Sequence, residues 1–283
     1  MKLIACGDSW CWGAELVDPV EEPVPIFKLG GDNFDRQLKP INMAYREKHR
    51  YIQLFKDKIQ ADELVDLSQP SISNTAIARK LKEYLCLEGY LSGRDTSELF
   101  VSIGWSSPER NEFYYKDPDT GHVETMVFGP WVFSVPNKDP ALDQFLKTYA
   151  LMFCHEHEFM HRWIKEVFET QLLLQHYKIK FVMHQAFYHF LDEWFNTWQD
   201  NKYLERSMSV ISTADKKLWE LVDNKTFMHK DRKIMSAHNI MQQEAKIQFN
   251  DPDKAFIIMH PSEFGHSVWA QHMYDYCIKS KIL

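Results

Sequence analysis

Four short segments, residues 3–6, 63–67, 99–103 and 179–183, read as strands and alternate with stretches whose apolar residues recur at helical spacing. Strands fed by helices in this way predict a mainly parallel sheet covered on both faces, because a parallel neighbour needs a crossover connection. The first segment, Leu3-Ile4-Ala5-Cys6, leads straight into Gly7-Asp8-Ser9. A buried strand followed by that turn sets a serine hydroxyl at the carboxyl edge of the sheet, where open α/β sheets bind ligands. A serine there becomes a nucleophile if a histidine arrives to take its proton.

The remaining chain is organised around that sheet. Residues 45–59 carry Tyr51, Leu54, Phe55 and Ile59 at helical spacing, and Ser73-Asn74 precede a helix running to about residue 90 with Ile77, Leu81 and Leu85 on one face. A long helical pattern covers residues 141–177, and a terminal helix is expected over 268–278. Residues 17–40, rich in Pro and Gly, read as an irregular excursion at the sheet edge. Residues 106–138 read as an inserted loop or hairpin, with turn signals at Asp117-Pro118-Asp119-Thr120-Gly121, and 190–248 as a helical lid. The run 255–259 leads into His260-Pro261. Residues 1–283 are expected to form a single α/β domain, since a chain of this length can bury one substantial core.

Composition narrows the function classes. A net charge of -7 argues against general nucleic-acid binding, which needs clustered Lys and Arg. Five dispersed cysteines without metal or redox spacing suggest reduced thiols in a cytosolic compartment. No segment reaches the roughly 18 apolar residues of a membrane span, and nothing before Leu3 could form a signal peptide. The expectation is a soluble, cytoplasmic protein without a membrane partner; its oligomeric state is left open.

Gly7-Asp8-Ser9 after the first strand, Ser73-Asn74 opening a helix after the second, Gly104-Trp105-Ser106 after the third, and His260-Pro261-Ser262-Glu263-Phe264-Gly265-His266 before the last helix occur in order. This series resembles the SGNH (GDSL-type) hydrolase superfamily, especially its divergent phage-encoded members, from residue 2 to about 280. The resemblance implies a three-layer flavodoxin-like fold, ester hydrolysis without a cofactor, and, for a phage-encoded member, residence in the host cytoplasm. It implies Ser9 as nucleophile and His260 as base, with an oxyanion held by the backbone N–H groups of Ser9 and Asn74 and by the Ser106 hydroxyl.

Three positions depart from the family pattern. The stretch Ser71-Ile72-Ser73-Asn74 has no glycine, Ser106 stands where a side-chain amide is usual, and Ile257 stands where an aspartate normally orients the histidine. A backbone carbonyl, Asp251 or Asp253 could take over that orienting role, and Glu263–His266 is a competing acid–base pair. Trp10, Trp12, Trp105 and Trp131 lie on or near these loops and are candidates to line a pocket for a small-molecule or carbohydrate-linked ester. The departures leave a second reading open, an SGNH-fold protein that binds a ligand but catalyses weakly.

His157-Glu158-Phe159-Met160-His161 satisfies the His-Glu-x-x-His zinc signature inside a helical pattern. Two imidazoles at i and i+4 share a helix face and could hold one zinc, with Glu158 as base and Glu193 or His189 as third ligand. No Gly-x-x-His continuation follows, since Arg162-Trp163-Ile164-Lys165 come next. The competing reading is a polar helix face, and no metal site is expected.

Overall fold

The computed structural model describes residues 1–20, 37–116, 120–129, 139–153, 155–186, 212–230, 236–257 and 260–283. In chain order the first elements are β1 (Lys2–Cys6), α1 (Ser9–Trp12), α2 (Pro40–His49), α3 (Tyr51–Lys58), β2 (Glu63–Asp66), α4 (Asn74–Leu87) and β3 (Leu99–Trp105). There follow β4 (Asn111–Lys116), β5 (Val123–Phe128), α5 (Pro140–Phe153), α6 (Glu156–His176) and β6 (Lys180–Gln185). The chain ends with α7 (Thr213–Glu220), α8 (Ala237–Phe249) and α9 (Glu263–Lys279).

Strands β2-β1-β3-β6 form one parallel sheet in that order, registered by Lys2↔Glu63, Lys2↔Leu99 and Phe100↔Lys180. Side chains alternate across it, as the period of two requires. Ile4, Val101, Ile103 and Met183 meet Ile77 and Leu81 of α4 and Trp163, Ile164 and Val167 of α6. Leu3, Ala5, Phe100 and Val182 meet Tyr51 and Phe55 of α3, Met241 of α8, and Trp269 and Met273 of α9. The sheet is therefore apolar on both sides, which is why β3 is buried along its whole length rather than alternating. No helix among the described residues is long and apolar enough to cross a membrane.

Several expectations change in detail. The helix at 45–59 is two helices that meet at Arg50, whose backbone is extended and whose guanidinium pairs with Asp66. The pattern at 141–177 is likewise two helices, α5 and α6, the second capped by the His155 ring, which accepts from the Glu158 N–H. Apolar spacing continues across both breaks, so periodicity cannot locate them. Gly104-Trp105 continues β3 instead of ending it. β4 and β5 pair antiparallel inside the expected insertion, with Asn111 opposite Phe128 and Lys116 opposite Val123.

Within the expected lid, residues 212–230 and 236–248 are described: α7 and α8 are helical, and 221–230 is a run of turns. Trp219, Val222 and Phe227 join the α4/α6 core, and Ala237, Ile240 and Met241 join the other. Phe227 also bridges Met183 at the edge of β6, where Met183 N–H donates to Thr226 O and Met228 N–H to Met183 O. Those apolar faces cover the sheet; an amphipathic pattern alone does not tell a lid from a core layer.

Candidate active site

Ser9 begins α1 immediately past the carboxyl end of β1 and is 5% exposed. Asp8 caps the short helix, its Oδ1 accepting the Trp10 N–H at 3.0 Å. The turn is tight enough that a Cβ on Gly7 would lie 2.6 Å from Cys11 Cβ and 3.3 Å from Gly104 O. Glycine at that position is thus a packing requirement of the strand-to-serine turn.

His260 comes from the far end of the sequence on a loop tied at both ends. Ile257 N–H donates to His260 O at 2.9 Å, Phe256 bridges Pro261, and Ser262 N–H donates to Ala255 O at 2.8 Å. Ser262 then caps α9, accepting the Gly265 N–H. His260 Nε2 lies 2.9 Å from Ser9 Oγ, so the structure brings the two residues singled out as nucleophile and base into direct hydrogen-bond contact.

The start of α9 packs directly on this loop. A Cβ on Gly265 would lie 2.3 Å from Ala255 O, 3.0 Å from Met241 Sδ and 3.2 Å from Pro261 Cβ. The Gly265→Ala variant is expected to lose about 1–3 kcal/mol, the usual cost of overpacking, and to lose turnover at temperatures where it remains folded. Melting and kinetics of the variant check this. An unchanged Tm together with unchanged kcat would show that the approach of α9 to residues 255–261 does not matter.

On the other side of the imidazole stands Glu15. Its Oε1 is 3.0 Å from His260 Nδ1 and its Oε2 accepts the His260 backbone N–H at 3.3 Å. The Nδ1 contact is at ion-pair distance. Sequence reasoning missed Glu15. The one signal it leaves is a lone carboxylate inside the apolar stretch between Trp10 and Val17.

The other candidates for that place are occupied elsewhere. Asp251 caps its own 3-10 turn through Asp253 N–H, and Glu263 binds Tyr45 Oη at 2.6 Å and His49 Nδ1 at 2.8 Å. His266 is fully buried, its Nδ1 accepting the Tyr51 N–H at 3.1 Å, and burial pushes its pKa down to about 3. Glu263 and His266 therefore do not form an acid–base pair at Ser9. Burial raises the pKa of Asp8, opposed by Arg110, whose Nη1 lies 4.0 Å away, by the Trp10 N–H and by the Ser106 hydroxyl.

Asn74 and Ser106 meet, but they bind each other. Ser106 N–H donates to Asn74 Oδ1 at 2.7 Å, and Asn74 Nδ2 donates to Ser106 O and Ser107 O at 3.1 and 3.2 Å. Gln185 Nε2 also donates to Ser106 O at 3.0 Å. Ser106 is wholly buried and its backbone N–H and C=O are both held by Asn74, so its backbone belongs to a loop clamp. Ser9 and Asn74 each occupy the first position of a helix, where the backbone N–H has no intrahelical acceptor.

Among the tryptophans, Trp10 and Trp105 are core residues, not pocket walls. Trp10 packs on His238 and Phe256, with ring centroids 6.0 and 5.6 Å away. Trp12 is half-buried under the Arg46 guanidinium, 3.5 Å from the ring centroid, and Trp131 lies outside the described residues. In the His-Glu-x-x-His segment, His161 Nδ1 pairs with Asp215 Oδ1 at 2.8 Å, tying α6 to α7, and Glu158 faces Arg162. His189 and Glu193 lie outside the described residues. Among the described residues no three His, Cys, Asp or Glu side chains converge to hold a metal.

Residues 33–212 match a family described as of unknown function (DUF6071). A search of the curated proteins finds no match. Among solved structures, the chain is similar to the psychrotrophic esterase EstA from Pseudoalteromonas sp., in a structure inhibited by monoethylphosphonate, at 12% identity and a TM-score of 0.43, covering 98% of this chain and 97% of that one. It is also similar to the lipase Lip_vut3 from a goat rumen metagenome, at 12% identity and a TM-score of 0.44, again covering 98% and 97%. At these scores neither likeness bears on what this chain does.

Proposed function

The chain belongs to the DUF6071 family of unknown function, and from its own residues we propose that it is a serine-dependent ester hydrolase of the SGNH type. The observation that carries this reading is the 2.9 Å contact between Ser9 Oγ and His260 Nε2 at the carboxyl edge of a parallel sheet. In the proposed reaction Ser9 Oγ attacks an ester carbonyl carbon while His260 Nε2 takes the hydroxyl proton. The tetrahedral oxyanion faces the backbone N–H groups of Ser9 and Asn74, which are pre-aimed at no cost during the reaction. Collapse breaks the ester C–O bond, and His260 returns the proton to the departing alcohol. Water, deprotonated by the same imidazole, then cleaves the acyl-serine.

A small or carbohydrate-linked ester is the substrate class this reading takes, within the three-layer flavodoxin-like arrangement of SGNH hydrolases. Trp12, half-buried with one face under the Arg46 guanidinium, is the tryptophan of the serine turn that is not core.

A serine-directed fluorophosphonate is expected to add one covalent label, mapped by peptide analysis to Ser9. Ser9→Ala should abolish both labelling and hydrolysis of short-chain acyl esters. Full esterase activity in Ser9→Ala would sink the serine mechanism. A folded wild-type protein that refuses the label and turns over no ester would identify a ligand-binding protein instead.

A further inference from the structure

We infer that Glu15 is the positioning carboxylate for His260, so that nucleophile and orienting acid share one short turn and the histidine docks between them. The inference rests on the reading of Ser9 and His260 given above and adds the residue that makes such a pair work. At position 257, where a local acid would sit, the chain has isoleucine. The acid has moved from the base's loop to the nucleophile's turn.

Three observations carry this. First, the Glu15 carboxylate touches residue 260 twice, at Nδ1 with one oxygen (3.0 Å) and at the backbone N–H with the other (3.3 Å). A carboxylate on Nδ1 selects the tautomer with its proton there, leaving the Nε2 lone pair facing Ser9, and stabilises the imidazolium that forms during attack. The backbone contact fixes the loop itself, so a single side chain sets both where the ring sits and which nitrogen is free.

Second, Glu15 is 2% exposed. A buried carboxylate is tolerated only where it is paired and hydrogen-bonded, and His260 Nδ1 is a partner that gains a positive charge in the reaction. Asp8, Asp251 and Glu263 are held at other bonds, as described above.

Third, the backbone at Glu15 is left-handed, with φ +67°. That conformation costs a non-glycine residue roughly 1–2 kcal/mol, and such strain persists where the surrounding structure over-determines it, as it does at functional sites. Here the turn is over-determined from Ser9 onward. Gly13 and Ala14 N–H groups both donate to Ser9 O, Leu16 N–H donates to Gly13 O, and Glu15 N–H donates to Gln37 Oε1 at 2.9 Å. The distance from nucleophile to acid is thereby set inside Gly7-Asp8-Ser9 and the next six residues, before His260 is added.

The test compares Glu15→Gln and Glu15→Asp with wild type and Ser9→Ala on a short-chain acyl ester. Glu15→Gln keeps the shape and loses the charge. It is expected to lower kcat by roughly 10²- to 10⁴-fold, up to the loss seen when the orienting Asp of a serine protease becomes Asn, with little change in KM. The acid limb of its pH–rate profile should move to lower pH, because the carboxylate no longer favours the imidazolium, and a purely structural role would leave that limb in place. Fluorophosphonate should still label Ser9 in this variant, more slowly. Glu15→Asp retains the charge one methylene short and should keep the acid limb while losing kcat, since displacement of about 1 Å can cost 10²-fold.

If Ser9→Ala is inactive while Glu15→Gln turns over like wild type with an unmoved acid limb, the positioning role is wrong and the serine reading stands. If Ser9→Ala is active, the serine reading itself fails. Should Glu15→Gln not fold, Glu15→Asp decides: kcat lowered about 10²-fold with KM and Tm near wild type supports the role, and unchanged kcat overturns it.

Discussion

His260→Ala is expected to lower kcat for a short-chain acyl ester by up to roughly 10⁶-fold, the scale of the loss when the catalytic histidine of a serine protease is removed. The loss is large because His260 is the base in contact with Ser9 among the described residues, its Nε2 2.9 Å from the hydroxyl. The loop keeps its backbone bonds from Ile257 and Ser262, but the variant strips the buried Glu15 carboxylate of its imidazole partner, so Tm should fall and kcat is compared at a temperature where the variant is folded. The contrast that gives the experiment its force is Glu263→Gln. Glu263 sits on the surface against Tyr45 and His49, so its removal should leave kcat within about twofold, the scale of an exposed ion pair. Activity kept in His260→Ala and lost in Glu263→Gln would reverse the assignment of the base.

What could be read from sequence in this site is what local chemistry determines. An apolar run before Gly7-Asp8-Ser9 specifies a strand and a turn because Gly7 leaves no room for a side chain against Cys11. His260-Pro261 followed by Gly265 specifies a turn into a capped helix because α9 must pass close to Ala255 O. Glu15 was not legible, for two physical reasons. Its partner is 245 residues away, and its left-handed backbone is one that local preference assigns to Gly or Asn rather than to Glu. Trp10 and Trp105 were misplaced because an aromatic at a strand end suits a pocket wall and a core equally. Within the expected lid, whose residues 190–211 and 231–235 lie outside the described residues, the faces of Trp219 and Met241 are apolar whether they cover a site or a sheet. Ser106 read as a donor because a hydroxyl can donate, and local sequence does not show that Asn74, 32 residues away, clamps its backbone N–H and C=O.

Stability should collapse as the pH falls below about 6, for reasons independent of catalysis. His184 and His266 lie buried on either side of Tyr51, and burial pushes the pKa of each down to about 3. His266 Nδ1 accepts the Tyr51 N–H at 3.1 Å, and His184 Nε2 accepts from Trp269 Nε1 at 3.4 Å. Each of those bonds needs a neutral imidazole. In the unfolded chain both rings protonate near the ordinary value of about 6.5, so between that pH and about 3 the unfolded state binds two protons that the native state refuses. Their contribution is therefore whole above about 6.5 and is lost as the pH falls towards 3, at about 1.4 kcal/mol per pH unit for each ring, or nearly 3 for the pair. His238, pushed down to about 4 by burial, acts in the same direction. Burial lowers His272 as well, while the raised pKa values of Asp8 and Glu166, also caused by burial, act in the opposite direction and offset part of the loss. Against a typical total of about 5–15 kcal/mol, a fall from pH 6.5 to 5 removes a large part of the fold's margin. Urea unfolding at pH 8, 7, 6 and 5 measures it directly: the free energy should be level between pH 8 and 7 and steepen below 6. A free energy that stays flat down to pH 5 would mean that these imidazoles are not held neutral in the native protein. Because α9 begins two residues after Pro261 and carries both His266 and Trp269, the same protonations loosen the helix that anchors the His260 loop. Loss of activity below pH 6 should then track loss of structure, and a near-ultraviolet circular dichroism titration recorded beside the rate separates the two.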